Sequence, residues 1–499
     1  MEFFAAADWI VIVVYMFGIV GLGVWFGRGQ KTTRDYFLGG RDIPWVGVAF
    51  SILATETSAL TFIGVPAMAF GGDLTFIQII VGYVLARVVL AVVMVPHYFK
   101  GDVYSPYQLF DRAFGRGAKR TVSVFFLLAG TLAAGVRVYA TCIPIEMMLK
   151  DALPAALGDP ILQAIVIFVG LALIYTYFGG IRAVVWTDAV QFCLLIGGGV
   201  FALVYLSGIE GAGWAYYVER GGTEGKLKWF DGSFSWTAPF NIWMGVIGAT
   251  FQVLSSHGVD QLNVQRVLAC KDVRDGRRAL ILSAVLILPM FLLFLLVGGV
   301  LWAYAQVHGL EVPLNAAGAP RNDHAFPLFI LTMMPAGVKG LLVVGILSAA
   351  MSSVSSALSA LSSVSTMDLL KELKPERSDE WYLRLSRRST LIWGMALIAV
   401  AYGCKGHDRV INVAFSLAGI TSGGMLGGLV LVLWWKRGPG LPVIAGMLAS
   451  LAVMTGVKLW SSIYWPWYTM IGCAVCVGVA FCLRGILSAG DEKSPPVGP

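Results

Sequence analysis

The sequence predicts an all-α polytopic membrane protein, and three observations carry that class. Hydrophobic residues make up 58% of the 499-residue chain and charged ones only 13%, with a mean hydropathy of +0.77, far above what a soluble chain of this size shows. The apolar residues come in runs of about 20, the length a helix needs to cross a hydrocarbon core. Lys and Arg cluster in every second connection between those runs, the positive-inside pattern. The formal charge of +7 is therefore a matter of topology and points to a lipid bilayer, with no nucleic-acid partner expected.

About thirteen spans follow one another, at 8–27, 46–70, 75–99, 121–149, 160–178, 184–207, 240–258, 278–306, 339–367, 389–404, 410–435, 440–459 and 465–484. The first is preceded by Glu2 and Asp8 rather than a basic region and is followed by no small-residue cleavage site, so it reads as a retained span. One set of connections holds Arg28, Lys31, Arg34 and Arg41, then Lys100, Arg112, Arg116, Lys119 and Arg120, then Arg182. The same set goes on with Arg266, Lys271, Arg274, Arg277 and Arg278, the run 371–388, Lys436, Arg437 and Arg484. The opposite set carries roughly threefold fewer basic residues, which puts the N-terminus outside and the C-terminus inside. Two external loops are long, 208–236 and 306–339, and the second contains an apolar piece, 326–334, too short to span and better read as a re-entrant or lid helix. The polar tail, with Pro495 and Pro496, reads as disordered. Five of the cysteines (Cys142, Cys193, Cys473, Cys476 and Cys482) sit in apolar runs, where they act as small soft hydrophobes.

The chemistry concentrates in interrupted spans. The stretch 51–67, SILATETSALTFIGVPA, gathers Ser51, Thr55, Glu56, Thr57, Ser58 and Thr61 before Gly64 and Pro66. Hydroxyls and a carboxylate in lipid must each find a partner. A helix broken at mid-membrane uses them: freed carbonyls and hydroxyls make a hard-oxygen cage for a small cation. A kinked continuous helix with hydroxyls bonded back to its own backbone is the alternative. Five spans later GVIGATFQVLSSHGVDQ is broken in the same way, by Gln252, Ser255, Ser256, His257 and Gly258. Paired interrupted helices in two inverted halves point to a binding site between them. The ninth span carries a hydroxyl at nearly every turn, with Ser352 and Ser353 adjacent near its middle; it reads either as a small-residue packing stripe or as the partner of the broken helix. Asp188 reads as the N-cap of the sixth span or as a cation ligand at its mouth. Arg137 lies some ten residues from either end of the fourth span, too deep to snorkel, and suits a carboxylate held bidentately. That carboxylate belongs either to a substrate or to Glu56. Arg87 and Glu146 lie nearer their helix ends and say less.

Taken together, DYFLGGRDIPW (35–45), the 51–67 stretch, YFGGIRAVVWTDAVQ (177–191), DQLNVQR (260–266) and SAAMSSVSSALSALSSVSTMD (348–368) resemble the sodium/solute symporter family, in the family's order. The resemblance implies a LeuT-type core of five plus five inverted helices behind one extra helix. One transporter domain would span 1–484: extra helix 8–27, first repeat 46–207, second repeat 240–435 and peripheral helices 440–484, with a cytoplasmic tail at 485–499. It implies Na+ on the backbone oxygens of Ala54, Thr57 and Ala349 and the hydroxyls of Ser352 and Ser353. Thr57 stands where an apolar residue is common. A second sodium site, found in some members, would use Asp188 with Ser352 and Ser353; the pair Ala349-Ala350 stands where some members offer a further Ser, which leaves one or two ions open. The branch most resembled carries sialic acid. Arg137 falls where that branch clamps a carboxylate, and Ser58, Thr61, Phe76, Gln78 and Gln252 would line the pocket. Ile80 replaces that branch's pocket glutamine, and Glu56 is a further departure.

The expected function is a sodium-coupled symporter that imports a small organic acid by alternating access across a bacterial inner membrane, as a monomer. A neutral sugar or amino acid is the alternative substrate. A channel would need a charge ring or filter-like repeat, and none is visible. An enzyme would need clustered His, Asp or Cys, whereas the five histidines are scattered.

Overall fold

The structure, a computed structural model, describes residues 4–57, 59–101, 103–149, 158–314, 318, 320–405 and 408–491. Ser58 and the tail beyond Asp491 lie outside the described residues. The chain opens with helix α1 (Ala6–Phe26), followed by the short α2 (Thr33–Leu38). Thr32 starts α2 by taking the Asp35 amide on its hydroxyl (3.1 Å) while Asp35 returns the favour to the Thr32 amide (3.0 Å). Next come α3 (Trp45–Glu56) and α4 (Ala59–Gly71), then α5 (Ile77–Val89), which runs through a π-helical turn (Leu90–Met94) into α6 (Val95–Tyr98). Helices α7 (Tyr107–Phe114), α8 (Arg116–Leu149), α9 (Pro160–Ser207) and α10 (Trp214–Thr223) complete the first half.

The second half follows a related plan. A π-helical turn (Met244–Ala249) leads into α11 (Thr250–Gly258), then α12 (Gln261–Leu268) and α13 (Val273–His308). The short α14 (Ala325–Met333) lies where the sequence predicts a lid helix. Helix α15 (Val338–Ser363) continues through another π-helical segment (Val364–Leu370) into α16 (Lys371–Leu373). Four helices end the chain: α17 (Asp379–Gly403), α18 (Asp408–Trp435), α19 (Gly440–Trp460) and α20 (Tyr468–Asp491). Among the described residues eight helices are long and apolar enough to cross a membrane.

Three interruptions shape the bundle. Thr57 leaves the helical region at φ −86°, ψ 80°, so α3 and α4 are two pieces. The break comes three residues later than Ala54, because the Thr57 amide and hydroxyl both donate to the Leu53 carbonyl (2.9 Å each) and close the last turn of α3. Val259 (φ −132°, ψ −18°) separates α11 from α12, and Asp260 restarts the helix by accepting the Leu262 amide at 2.9 Å. In α9 the chain turns at Gly180 (φ 51°, ψ −152°), which only glycine adopts readily, and a side chain there would strike the Tyr36 carbonyl. Helix then continues without a break from residue 181 to 207. Asp188 is therefore an interior residue of a helix and not an N-cap, a correction to the sequence expectation.

Burial separates core from periphery. The apolar stretch of Val338–Leu373 is 89% buried, against 17% for Ala6–Phe26, so α15 is central and α1 lies on the flank. Helix α15 packs along α9 and touches both pieces of the broken helix α3/α4. Its small residues permit that approach, as expected for close helix packing in lipid. Asp8 on α1 reaches the start of α15, where its Oδ1 accepts the amides of Gly337 (2.7 Å) and Gly340 (2.8 Å). On the loop after α10, Asp231 is held down to about 2 by the Ser233 hydroxyl (2.6 Å) and amide (2.9 Å) and by Lys228 (3.0 Å).

Candidate functional site

The serine stripe of α15 is mostly spent on holding helices together. Ser348 donates to the Tyr15 hydroxyl (2.7 Å) and Ser362 to the Ser386 carbonyl (2.8 Å), and Ser363 receives the Gln261 amide (3.2 Å). Ser352 differs. Its side chain is fully buried, and its Oγ faces the Asp188 carboxylate without closing a hydrogen bond of ordinary geometry. A hydroxyl that turns its hydrogen toward a carboxylate keeps its lone pairs for a cation. Ser353 donates to the Ala349 carbonyl at 3.2 Å, leaving its oxygen able to accept. Ala54 and Ala349 are buried on helices that pack together, and Thr57 stands at the break itself. These five residues offer neutral hard oxygens and nothing softer, a donor set that suits an alkali cation.

Asp188 is engaged in a second network. It is completely buried and pairs with Arg266 at 2.9 Å, itself 1% exposed. Its Oδ2 also receives the Ser51 hydroxyl at 2.6 Å, and Ser51 in turn receives Arg266 Nε at 2.7 Å. Arg266 also donates to the Leu262 carbonyl and the Ser356 hydroxyl. One ion pair thus ties α3, α9, α12 and α15. Arg266 is in the core and is not a loop charge, which corrects the topological count of basic residues. Asp188 Oδ1 has no partner among the described residues, so one oxygen remains for a cation beside Ser352 and Ser353. Gln191, one turn on, donates to Tyr15 (3.2 Å), so α1 touches this network through a single phenol that also serves Ser348.

A cavity of about 640 Å³ lies beside the two helix breaks. Arg137, Gln252, Glu56, His257, Asp260 and Asn263 all line it. Glu56 binds Arg87, which is wholly buried and also donates to Ser283 (3.1 Å) and the Tyr83 carbonyl (3.0 Å). His257 joins them, 3.8 Å from the Glu56 carboxylate and 3.5 Å from Arg87, with its other ring nitrogen 2.9 Å from Ser256. Arg87, which its position near a helix end made uninformative, is therefore the partner of Glu56. This choice leaves Arg137 with one hydrogen bond among the described residues, from Nε to the Ala133 carbonyl of its own helix (3.2 Å), and with no ion pair. Asp260 lines the same cavity and acts on Arg137 through space without pairing with it, so the guanidinium keeps donors for an incoming anion.

The other expected pocket residues stand elsewhere. Thr61 donates to the Glu56 carbonyl at 3.3 Å, across the break. Phe76 packs edge-on against Phe240 and beside Phe291. Gln78 donates to the Phe240 carbonyl (2.7 Å) and accepts the Asp231 amide (3.1 Å), which fastens the loop after α10 to α5. None of these three lines the cavity, and Ser58 lies outside the described residues. Asn263 was missed from the sequence, although it sits inside the DQLNVQR motif beside a helix break.

Comparison with known proteins bears on the family and the fold. A model of the Sodium:solute symporter family matches residues 36–449. The chain is 28% identical over 484 residues to the sodium/sialic acid symporter NanT of Aliivibrio fischeri, covering 96% of this chain and 93% of that protein. A solved substrate-bound, outward-open Na+-coupled sialic acid symporter superposes with a TM-score of 0.87 at 27% identity, over 97% of this chain and 98% of that one. A nucleobase-cation-symport-1 family transporter in a closed conformation shares the fold at 13% identity, with a TM-score of 0.56 over 91% and 94% of the two chains.

Proposed function

The chain belongs to the Sodium:solute symporter family, a sodium-coupled transporter of the LeuT-type fold, and we propose that its substrate is a small organic acid of the sialic acid class. The observation that carries this reading is Arg137, a guanidinium in direct contact with no carboxylate among the described residues, in a cavity at the helix breaks, while Glu56 is occupied by Arg87. The substrate carboxylate docks there in the bidentate manner that a planar guanidinium favours. The likeness to sialic acid symporters over nearly the whole chain supports the same choice. Gln252 shares the cavity with Arg137, whereas Ser58, Thr61, Phe76 and Gln78 serve the substrate path in the reading taken from the resemblance.

Sodium, as co-transported cargo, is held by the carbonyls of Ala54, Thr57 and Ala349 and the hydroxyls of Ser352 and Ser353. A second ion at Asp188, Ser352 and Ser353 shares that carboxylate with Arg266. Sodium bound between α3/α4 and α15 orders the broken helix and favours the state that accepts substrate. Coupling then requires only that each ligand raises the affinity of the other. About thirteen crossings, N-terminus outside and C-terminus inside, would place this monomer in a bacterial inner membrane. Five-helix repeats at 46–207 and 240–435 would provide the alternating access.

The test is ligand-induced thermal stabilisation of the purified protein in sodium or in choline buffer. N-acetylneuraminate stabilises the wild type only with sodium. Arg137→Ala abolishes the acid response, and Ser352→Ala plus Ser353→Ala abolishes the sodium requirement together with the response. A neutral sugar that stabilises the wild type and Arg137→Ala equally would refute the acid reading.

A further inference from the structure

The cavity reaches past the two repeats expected from the sequence. Helices α19 and α20 and the turn between them give it Lys458, Trp465, Tyr468 and Thr469. Of the lining residues only Lys458 and Trp465 are exposed, so the cavity opens where α19 ends. That mouth is held in place. Trp467 beside it is 1% exposed, with the ring centroids of Trp236 at 4.7 Å and Phe234 at 5.8 Å, and the Tyr464 amide donates to the Trp236 carbonyl (2.8 Å). Deeper in the cavity the charges offset one another. Glu56 is held by Arg87. Asp260 acts on Arg137 through space. His257 lies 3.5 Å from Arg87, a neighbour that opposes a second positive charge there. Lys458 is therefore the one wall charge that no other lining residue offsets.

We infer that Lys458 is a capture group at the mouth of the cavity. It draws an anionic solute in and passes it down to Arg137, raising the rate of association without gripping the solute once bound. The inference rests on the acid reading above and adds a step that precedes binding at Arg137. A cleft with walls of low dielectric focuses the field of its charges, so one uncompensated cation at the entrance biases which solutes enter. An exposed rim charge acts on encounter and is screened by salt, whereas a charge that contacts the bound ligand acts on its release. Lys458 is of the first kind and Arg137 of the second. A lysine in the last turn of α19 also favours that helix through its dipole. That effect changes stability and leaves association untouched.

Stopped-flow fluorescence of the purified protein in detergent, at fixed sodium, follows N-acetylneuraminate binding to wild type, Lys458→Arg, Lys458→Gln and Lys458→Glu. The association rate constant falls about threefold in Lys458→Gln and about tenfold in Lys458→Glu, and Lys458→Arg keeps it. Dissociation stays within about twofold throughout. Raising the ionic strength with choline chloride from about 0.1 M to about 1 M cuts the screening length from about 10 Å to about 3 Å and brings the variants together with wild type. Equal association by wild type and Lys458→Glu at the lower salt overturns the capture role and leaves the acid reading standing. A loss that salt does not erase, or one confined to dissociation, overturns it too. If wild type binds galactose and not N-acetylneuraminate, no anion is carried and both claims fall.

Discussion

Two arginine–carboxylate pairs lie inside this bundle, and they do different work. Asp188 and Arg266 are 0% and 1% exposed; Ser51 donates to Asp188, and Arg266 donates to the Ser356 hydroxyl and the Leu262 carbonyl, so the network spans α3, α9, α12 and α15. Glu56 and Arg87 have the same chemistry, but Glu56 is 13% exposed on the wall of a large cavity and has His257 at 3.8 Å. The sealed pair is a fastening, closed off from solvent by the groups it binds. The cavity pair positions a carboxylate where a solute can reach it. Burial, more than residue type, decides which role a pair takes.

The largest effect should come from breaking the sealed pair. Asp188→Asn leaves Arg266 as an uncompensated buried charge and should cost about 3–5 kcal/mol, seen as early thermal unfolding in detergent. Adding Arg266→Met to that variant should restore most of the loss, because removing both charges is far cheaper than removing one. Glu56→Gln should be milder, about 1–2 kcal/mol, since the partly exposed side chain gives up less on losing its charge and its amide oxygen still accepts from Arg87. Its larger consequence should be weaker substrate binding at unchanged sodium affinity, measured by titration calorimetry. If Glu56→Gln unfolds the protein as readily as Asp188→Asn, the distinction between the two pairs fails. The smallest effect belongs to Tyr15→Phe, which removes a hydroxyl at the edge of the sealed network and should cost about 0.5–1.5 kcal/mol in the same thermal assay.

What the sequence disclosed follows the same division. The interrupted helices were legible because hydroxyls and a carboxylate in a 25-residue apolar run, 46–70, have few explanations in lipid. Arg137 was legible because its depth in the span was. Partnerships were not. Arg266 stands 78 residues from Asp188 and 90 from Ser356, and beside Lys271 and Arg274 it looked like one more loop charge. Glu56 had two arginines to choose from, and only the packing of both α3 and α5 on α13 decides for Arg87. The reading of Asp188 as a cap failed for a local reason: Gly180 turns the chain, and the helix has already restarted seven residues before Asp188 is reached.

The grip of Asp8 on the start of α15 has a consequence for biosynthesis. The two amides it receives belong to residues 329 and 332 positions further along the chain. At a synthesis rate of about 5–20 residues per second, roughly a quarter of a minute to a full minute passes before they leave the ribosome. During that interval α1 can already pack on α9, where Gly23 and Gly27 lie against Tyr175 and Gly179 and Phe26 stacks on Trp186, so only the fastening of its first turn comes late. A nascent chain arrested before residue 337 should hold this helix by α9 alone, with its first turn unanchored.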